Sequence, residues 1–229
     1  MSGRDSMSAT DQKSCKGKGM DGFIARTYDR NARKYIMGQY RSWAAMVSSL
    51  LPKDARVLEI APGPGYLAIE LARSGIRSIT GLDISRTFVE LAREHARETQ
   101  VDVRFLQGNA SAMPFADGSY THVLCTSAFK NFADPLGALK EMHRVLTPGG
   151  IVWLSDMRRD VTDAEIDAYV TNVMKLRGVN GLFTRMTFKQ MLRKRAYTKE
   201  SLLALVSRTP LKVDSFEQET MEFRVTMKK

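Results

Sequence analysis

Ten residues, Val57-Leu58-Glu59-Ile60-Ala61-Pro62-Gly63-Pro64-Gly65-Tyr66, run from a β-rich segment through a Gly/Pro turn into a helical pattern. Glycine lets a backbone approach a ligand closely, and a helix N-terminus offers unpaired N–H groups to it. Alone, such a turn is a weak sign of binding. It is joined by Asp83, which ends the next strand pattern 18 residues after Gly65. An acid at that place can accept from both hydroxyls of a ribose. Gly108-Asn109-Ala110 and Thr126-Ser127-Ala128-Phe129 follow the third and fourth strand patterns. Ligands of open α/β sheets bind outside the carboxyl ends of the strands, so four separate turns converge on one crevice.

The elements that must position these turns alternate in type. Strand patterns at 56–60, 79–82, 103–107, 122–126 and 151–154 are separated by helical patterns at 66–73, 86–99 and 134–146. Ser85 is an N-cap for the second of these helices, Asp134 and Pro135 open the third, and Thr147-Pro148-Gly149-Gly150 stops it. This order predicts a parallel sheet covered on both faces. After Ser155 the alternation lapses. A helix is expected over 164–176, GVNGLFTRMTFKQMLRKRAY follows, and then comes a capped helix over 198–207. Residues 211–218 and 222–227 have the spacing of an antiparallel strand pair. Before the core, Ile24, Tyr28, Tyr35, Ile36, Trp43, Met46, Val47 and Leu50 recur at three- and four-residue spacings, predicting one or two amphipathic helices.

Composition bounds the functional classes. A chain of 229 residues, 43% hydrophobic and 26% charged, fits one globular α/β domain with extensions. No run approaches the roughly 18 apolar residues that span a bilayer, and the first twenty residues lack a secretory apolar core. A cytoplasmic protein with no membrane partner is the expectation. Cys15 and Cys125 have no CxxC spacing, and His95, His122 and His143 are scattered, so neither a disulfide nor a metal site is expected. The net charge of +10 lies wholly outside residues 51–150, where eleven basic residues face eleven acids. Its densest part is Arg185, Lys189, Arg193, Lys194, Arg195 and Lys199, a run with no acid inside it. Such a run can attract an anionic partner or simply face water.

From Val57 to Leu154 the chain resembles the class I S-adenosylmethionine (SAM)-dependent methyltransferases. LEIAPGPGY is similar to their first motif and GLDIS to their acidic second motif. QGNASAMPFADGSY is similar to the adenine-contacting stretch, and LKEMHRVLTPGGIVWLSD to the helix, turn and strand that close the core. A nicotinamide dehydrogenase fits less well, because the GxGxxG turn is replaced by APGPGY. The resemblance implies a three-layer Rossmann-like α/β fold with a mostly parallel seven-stranded sheet and a C-terminal antiparallel strand pair. It implies SAM as cofactor and S-adenosylhomocysteine as product.

Residue by residue, the resemblance implies that Glu59 orients the methionine amino end and that the backbone of Ala61, Gly63 and Gly65 lines the methionine tail. Asp83 would hold the ribose, Ile84 would pack on the adenine, and Asn109 and Ala110 would meet its edge. Thr126 or Ser127 would contact the methionine moiety, and Tyr28 would fold over the cofactor. Ala61 stands where a glycine is usual and Asn109 where an Asp is usual; an amide oxygen can still accept from an adenine amino group. On the acceptor side, Phe129 and Phe132 could exclude water, one of them as core, and Lys130 could hold an anionic acceptor or be ion-paired. Arg158 and Arg185 are further candidates for gripping an anion, as Arg suits a carboxylate or phosphate.

No residue is assigned as a catalytic base, since His122 falls within a strand and His143 within a helix. The expected reaction is methyl transfer to a small acceptor by in-line displacement, driven by proximity and desolvation. Two alternatives stay open: an RNA or protein methyltransferase using the basic 185–199 segment, and a SAM-fold protein that transfers no methyl. Nucleic acid is not the expected partner, because no Asn/Asp-Pro-Pro-aromatic tetrad and no nucleophilic Pro-Cys pair is present. A homodimer is left open. The expected organisation is a disordered leader over 1–20, helices covering the site over 21–51, the SAM-binding core over 52–155, a helical acceptor lobe over 156–210 and the strand pair over 211–229.

Overall fold

The computed structural model describes residues 19–229, so the leader up to residue 18, with Cys15, lies outside the described residues. Among the described residues two helices come first, α1 (Gly22–Tyr35) and α2 (Met37–Leu50), and then the core alternates. It runs β1 (Arg56–Ile60), α3 (Tyr66–Arg73), β2 (Ser78–Asp83), α4 (Arg86–Glu98), β3 (Arg104–Gln107), β4 (Tyr120–Thr126), α5 (Pro135–Val145) and β5 (Leu146–Met157). The sheet order is β3-β2-β1-β4-β5, all parallel, continued antiparallel by the last strand β7 (Glu222–Lys228) and by β6 (Lys212–Gln218) on its outer edge. Strand order reverses between β1 and β4, which is where a parallel sheet opens a crevice for a ligand.

Side-chain alternation assigns the two faces. Val57 joins a core with Trp43, Val47, Leu67, Leu71, Val89 and Phe105, beneath α2, α3 and α4. Leu58 and Ile60 point the other way, into a core with Leu139, Met142, Leu202, Val206 and Phe223. Leu67 and Leu71, one helical turn apart, are fully buried, each contributing about 1.5–3 kcal/mol by leaving water. The expected caps are present: Ser85 accepts from Phe88 N and Asp134 from Gly137 N.

The region after β5 departs most from expectation. In place of one helix over 164–176, α6 (Asp163–Ala168) continues into a π-helical turn, Tyr169–Val173, and ends. A second helix, α7 (Gly178–Thr187), extends through another π turn, Phe188–Leu192, into α8 (Arg193–Arg195), where no element was assigned from sequence. Its apolar residues do not all face inward, which obscures its period. Met157, Val161, Ile166, Val170, Ala196 and Met221 give this lobe its own small core. Then α9 (Lys199–Val206), capped by Thr198, returns to the sheet.

Candidate functional site

The turn after β1 is built on left-handed backbone. Gly63 and Gly65 have φ of 56° and 82°, and a side chain at Gly65 would strike Phe105 at 2.7 Å and Ala92 at 2.9 Å. Ala61 and Ser127, at the exits of β1 and β4, are not glycines yet also have φ of 53°. Left-handed backbone costs an L residue roughly 1–2 kcal/mol, and such strain gathers at ligand sites. Ala61 N donates to Leu82 O and Ser127 N to Ser155 O, which holds both turns to neighbouring strands.

Around these turns lies a cavity of about 1020 Å³. Of the residues expected to bind cofactor, Tyr28, Ala61, Gly63, Asp83, Ile84, Asn109, Ala110, Thr126 and Ser127 line it. Gly65 does not, and serves the helix–sheet packing instead. Asp83 is buried, accepting from Gly63 N at Oδ2 and from Ser85 N at Oδ1, each at 2.9 Å. Burial outweighs those donors and lifts its pKa to about 6. Asn109 Oδ1 accepts from Ser111 N and Ser111 Oγ, so it shapes its own turn as well as facing the cavity. Tyr28 hydroxyl pairs with that of Tyr40 at 3.2 Å, and its ring meets Phe88 edge-on. The α1 helix is held down by Asp29, which accepts from the Tyr66 hydroxyl, while His95 stacks on Tyr66 and its Nδ1 lies 2.9 Å from Pro64 O.

Glu59 sits behind the lining, 1% exposed, and its Oε2 has no hydrogen-bond partner. Burial pushes its pKa to about 8. A buried carboxyl that is bonded by the Ala68 backbone but keeps one oxygen unpartnered, beside the strand-end turn, fits the ammonium of a methionine tail, reached directly or through water. If so, binding must ionise a group that otherwise keeps its proton until pH about 8. The SAM dissociation constant should then tighten as pH rises, by up to about tenfold per unit, and level off near 8. Calorimetry in buffers of different ionisation enthalpy would read the released proton. A slope that persists unchanged in Glu59→Gln would remove Glu59 from the binding step.

The acceptor side needs correction. Phe129 is fully buried core, while Phe132 lines the cavity. Lys130 lines it too, but Nζ donates to Asp156 Oδ1 at 2.7 Å, with the two side chains 5% and 0% exposed. Its charge is therefore matched inside the protein. Neither Arg158 nor Arg185 lines the cavity: Arg158 pairs with Glu165 at 2.9 Å and Arg185 with Asp167 at 3.5 Å. Both are tied to acids of α6, so the expected anion grip is not assembled.

What closes the cavity instead is largely apolar and aromatic, with Asn180, Thr184, Thr187 and Arg195 among it. Tyr35 and Ile36 come from the first helices, Met157 from β5, Tyr169 from the first π turn, and Phe183, Phe188 and Met191 from the α7 segment. Glu222 also lines it and was missed in the sequence; nothing local marks the first residue of a terminal strand. Trp43 Nε1 and Ser155 Oγ donate to its carboxylate, at 3.4 and 3.1 Å, while burial raises its pKa. Cys125 is a buried free thiol in β4 whose pKa burial drives upward. Among the described residues there is no group of three or more His, Cys, Asp or Glu that could hold a metal ion. No helix there is long and apolar enough to cross a membrane.

Comparison with known proteins agrees with this geometry. Residues 58–154 match a family model described as a methyltransferase domain. A demethylmenaquinone methyltransferase from Deinococcus radiodurans is 42% identical over 130 residues, 56% of this chain and 54% of that one. One from Chlorobaculum parvum is 30% identical over 174 residues, 72% of this chain and 70% of that one. The chain thus spans little more than half the length of the Deinococcus relative and about 70% of the Chlorobaculum one. A crystal structure of a proposed SAM-dependent methyltransferase from Methanococcus maripaludis shares the fold, with a TM-score of 0.72 at 16% identity, covering 100% of this chain and 97% of that one. The likeness to the Chlorobaculum relative covers more of the chain than residues 58–154, and the chain belongs to the class I SAM-dependent methyltransferase family.

Proposed function

We propose that the chain transfers the methyl group of SAM to a small, largely apolar ring compound, with a reduced quinone as the leading class. The observation that carries this is one cavity in which the strand-end turns meet a wall of Tyr35, Ile36, Tyr169, Phe183, Phe188 and Met191. The names of the relatives, which specify a demethylmenaquinone, support the same class. SAM bound there would supply an electrophilic methyl on a cationic sulfonium. Asp83 would hold the ribose, Glu59 the amino end, and Ile84 and Ala110 the adenine. Tyr28, Phe132 and the acceptor-lobe aromatics would align the acceptor and exclude water, which supplies most of the acceleration. Glu222, a carboxylate facing the cavity with a raised pKa, would take the proton released by a hydroxyl-bearing acceptor.

The RNA or protein alternative loses part of its support, because three of the six basic residues of the run, Arg185, Lys189 and Arg193, pair with Asp163 and Asp167. The test is S-adenosylhomocysteine release with short-chain hydroquinones, amines and carboxylic acids. Binding of SAM without release for any acceptor would instead favour a non-transferring SAM fold. Asp83→Ala should weaken SAM by roughly 1.5–3 kcal/mol, the range for hydrogen bonds to a charged group. An unchanged calorimetric affinity in a folded variant would remove Asp83 from the site.

A further inference from the structure

Two helices, α1 and α7, contribute residues to the cavity lining, and both hold large apolar side chains in water. On α7, Val179, Leu182, Phe183 and Met186 are 83%, 65%, 67% and 57% exposed, at a spacing that puts them along one helix face. On α1, Phe23 and Ile24 are 80% and 62% exposed. Ile24 and Phe183 also line the cavity, so this apolar surface is continuous with its walls. Single exposed apolar residues need no explanation; six of them on two helices that line one cavity mark an interaction surface.

The charge around the mouth identifies what it meets. Between Asp167 and Glu200 there is no acid. Arg185, Lys189 and Arg193 pair with Asp163 and Asp167, three cations against two acids. Lys175, Arg177, Lys194 and Arg195 are exposed and make no ion pair among the described residues. On α1, Arg26, Arg30 and Lys34 are exposed as well, while Asp29 is buried and occupied by Tyr66. Asp21, at the helix start, accepts from Ser85 and Thr87. A second copy of the chain would bring the same positive rim against itself. An anionic lipid surface matches both features, taking apolar side chains into the boundary of headgroups and acyl chains and basic ones among the phosphates.

We infer that this rim, Phe23 and Ile24 of α1 with Val179, Leu182, Phe183 and Met186 of α7, docks the protein on an anionic membrane surface with the cavity mouth facing the lipid. The chain lies on the bilayer and does not span it, so the absence of a long apolar run in the sequence, from which no membrane partner was expected, does not bear on it. Docking would let an apolar acceptor pass from lipid into the cavity without crossing water. The inference goes beyond methyl transfer and is read without turnover, so its failure leaves the proposed activity standing.

The experiment is cosedimentation of the full chain with vesicles of phosphatidylcholine alone and of phosphatidylcholine mixed with phosphatidylglycerol. The wild type should pellet with the mixed vesicles and be released by salt. Val179→Glu with Leu182→Glu, neither of which lines the cavity, should lower vesicle partition by at least about tenfold while SAM affinity stays at the wild-type value. Lys175→Gln with Lys194→Gln should remove most of the preference for phosphatidylglycerol. A wild type that stays in the supernatant with both vesicles would overturn the inference. So would glutamate variants that pellet as before, or a dimer in gel filtration that the glutamate variants split while vesicles are ignored.

Discussion

Lys130→Met should lower stability by about 3–5 kcal/mol, a drop in Tm on the order of 10 °C, because it strands a charge in the interior. Asp156 is 0% exposed, and its carboxylate has three donors: Lys130 Nζ and Met157 N at Oδ1, and Lys130 N at Oδ2. The Met variant removes the only cation among them. Pairing it with Asp156→Asn should restore part of the loss, since the amide carries no net charge and its one oxygen still accepts from one of the two backbone N–H groups. Urea unfolding of the wild type, both single variants and the double variant completes the cycle. The opposing outcome is specific. If Lys130→Met keeps full stability but raises the Michaelis constant of an acidic acceptor, the lysine is an anion grip and the ion pair contributes little.

Glu222→Gln should lower kcat about a hundredfold or more, the usual worth of a placed general base, with SAM affinity unchanged. Burial holds this carboxyl above the ordinary range, against the hydrogen bonds from Ser155 and Trp43 and with a smaller push from Asp156. A protonated carboxyl cannot accept a proton. Activity should therefore rise with pH through an ascending limb placed above the usual carboxylate value, and that limb should vanish in the Gln variant. The amide oxygen can still accept from Trp43 Nε1, and its NH2 can donate to Ser155 Oγ, a hydroxyl that accepts as well as donates, so the fold is expected to survive. Wild-type kcat with a wild-type pH profile would reduce Glu222 to a structural hydrogen-bond acceptor joining β7 to α2.

The sheet core and its strand-end turns were legible in the sequence because their determinants are local. Gly63 and Gly65 need positive φ within one turn, Asp83 ends the strand that it serves, and Ser85 caps the helix immediately after it. Alternation of short apolar strands with periodic helices then leaves few topologies. The terminal strand pair could be read for the same reason, as two β-rich runs separated by a short turn.

Pairing between distant residues was not legible. Whether Lys130 faces an acceptor or an acid depended on Asp156, twenty-six positions away on a neighbouring strand. Arg158 and Arg185 looked like anion ligands until α6 brought Glu165 and Asp167 beside them. Glu222 reached the cavity only because β7 inserts antiparallel beside β5, opposite Met157. The α7 segment escaped assignment because its exposed face is apolar, which erases the contrast that marks an amphipathic helix. By itself the sequence determined where the strand-end turns lie and which of them take left-handed backbone, since backbone geometry there is a property of a few adjacent residues. Only the tertiary structure decided which charges are paired and what wall closes the cavity, because a charge is cancelled, and a wall completed, by residues far apart in the chain.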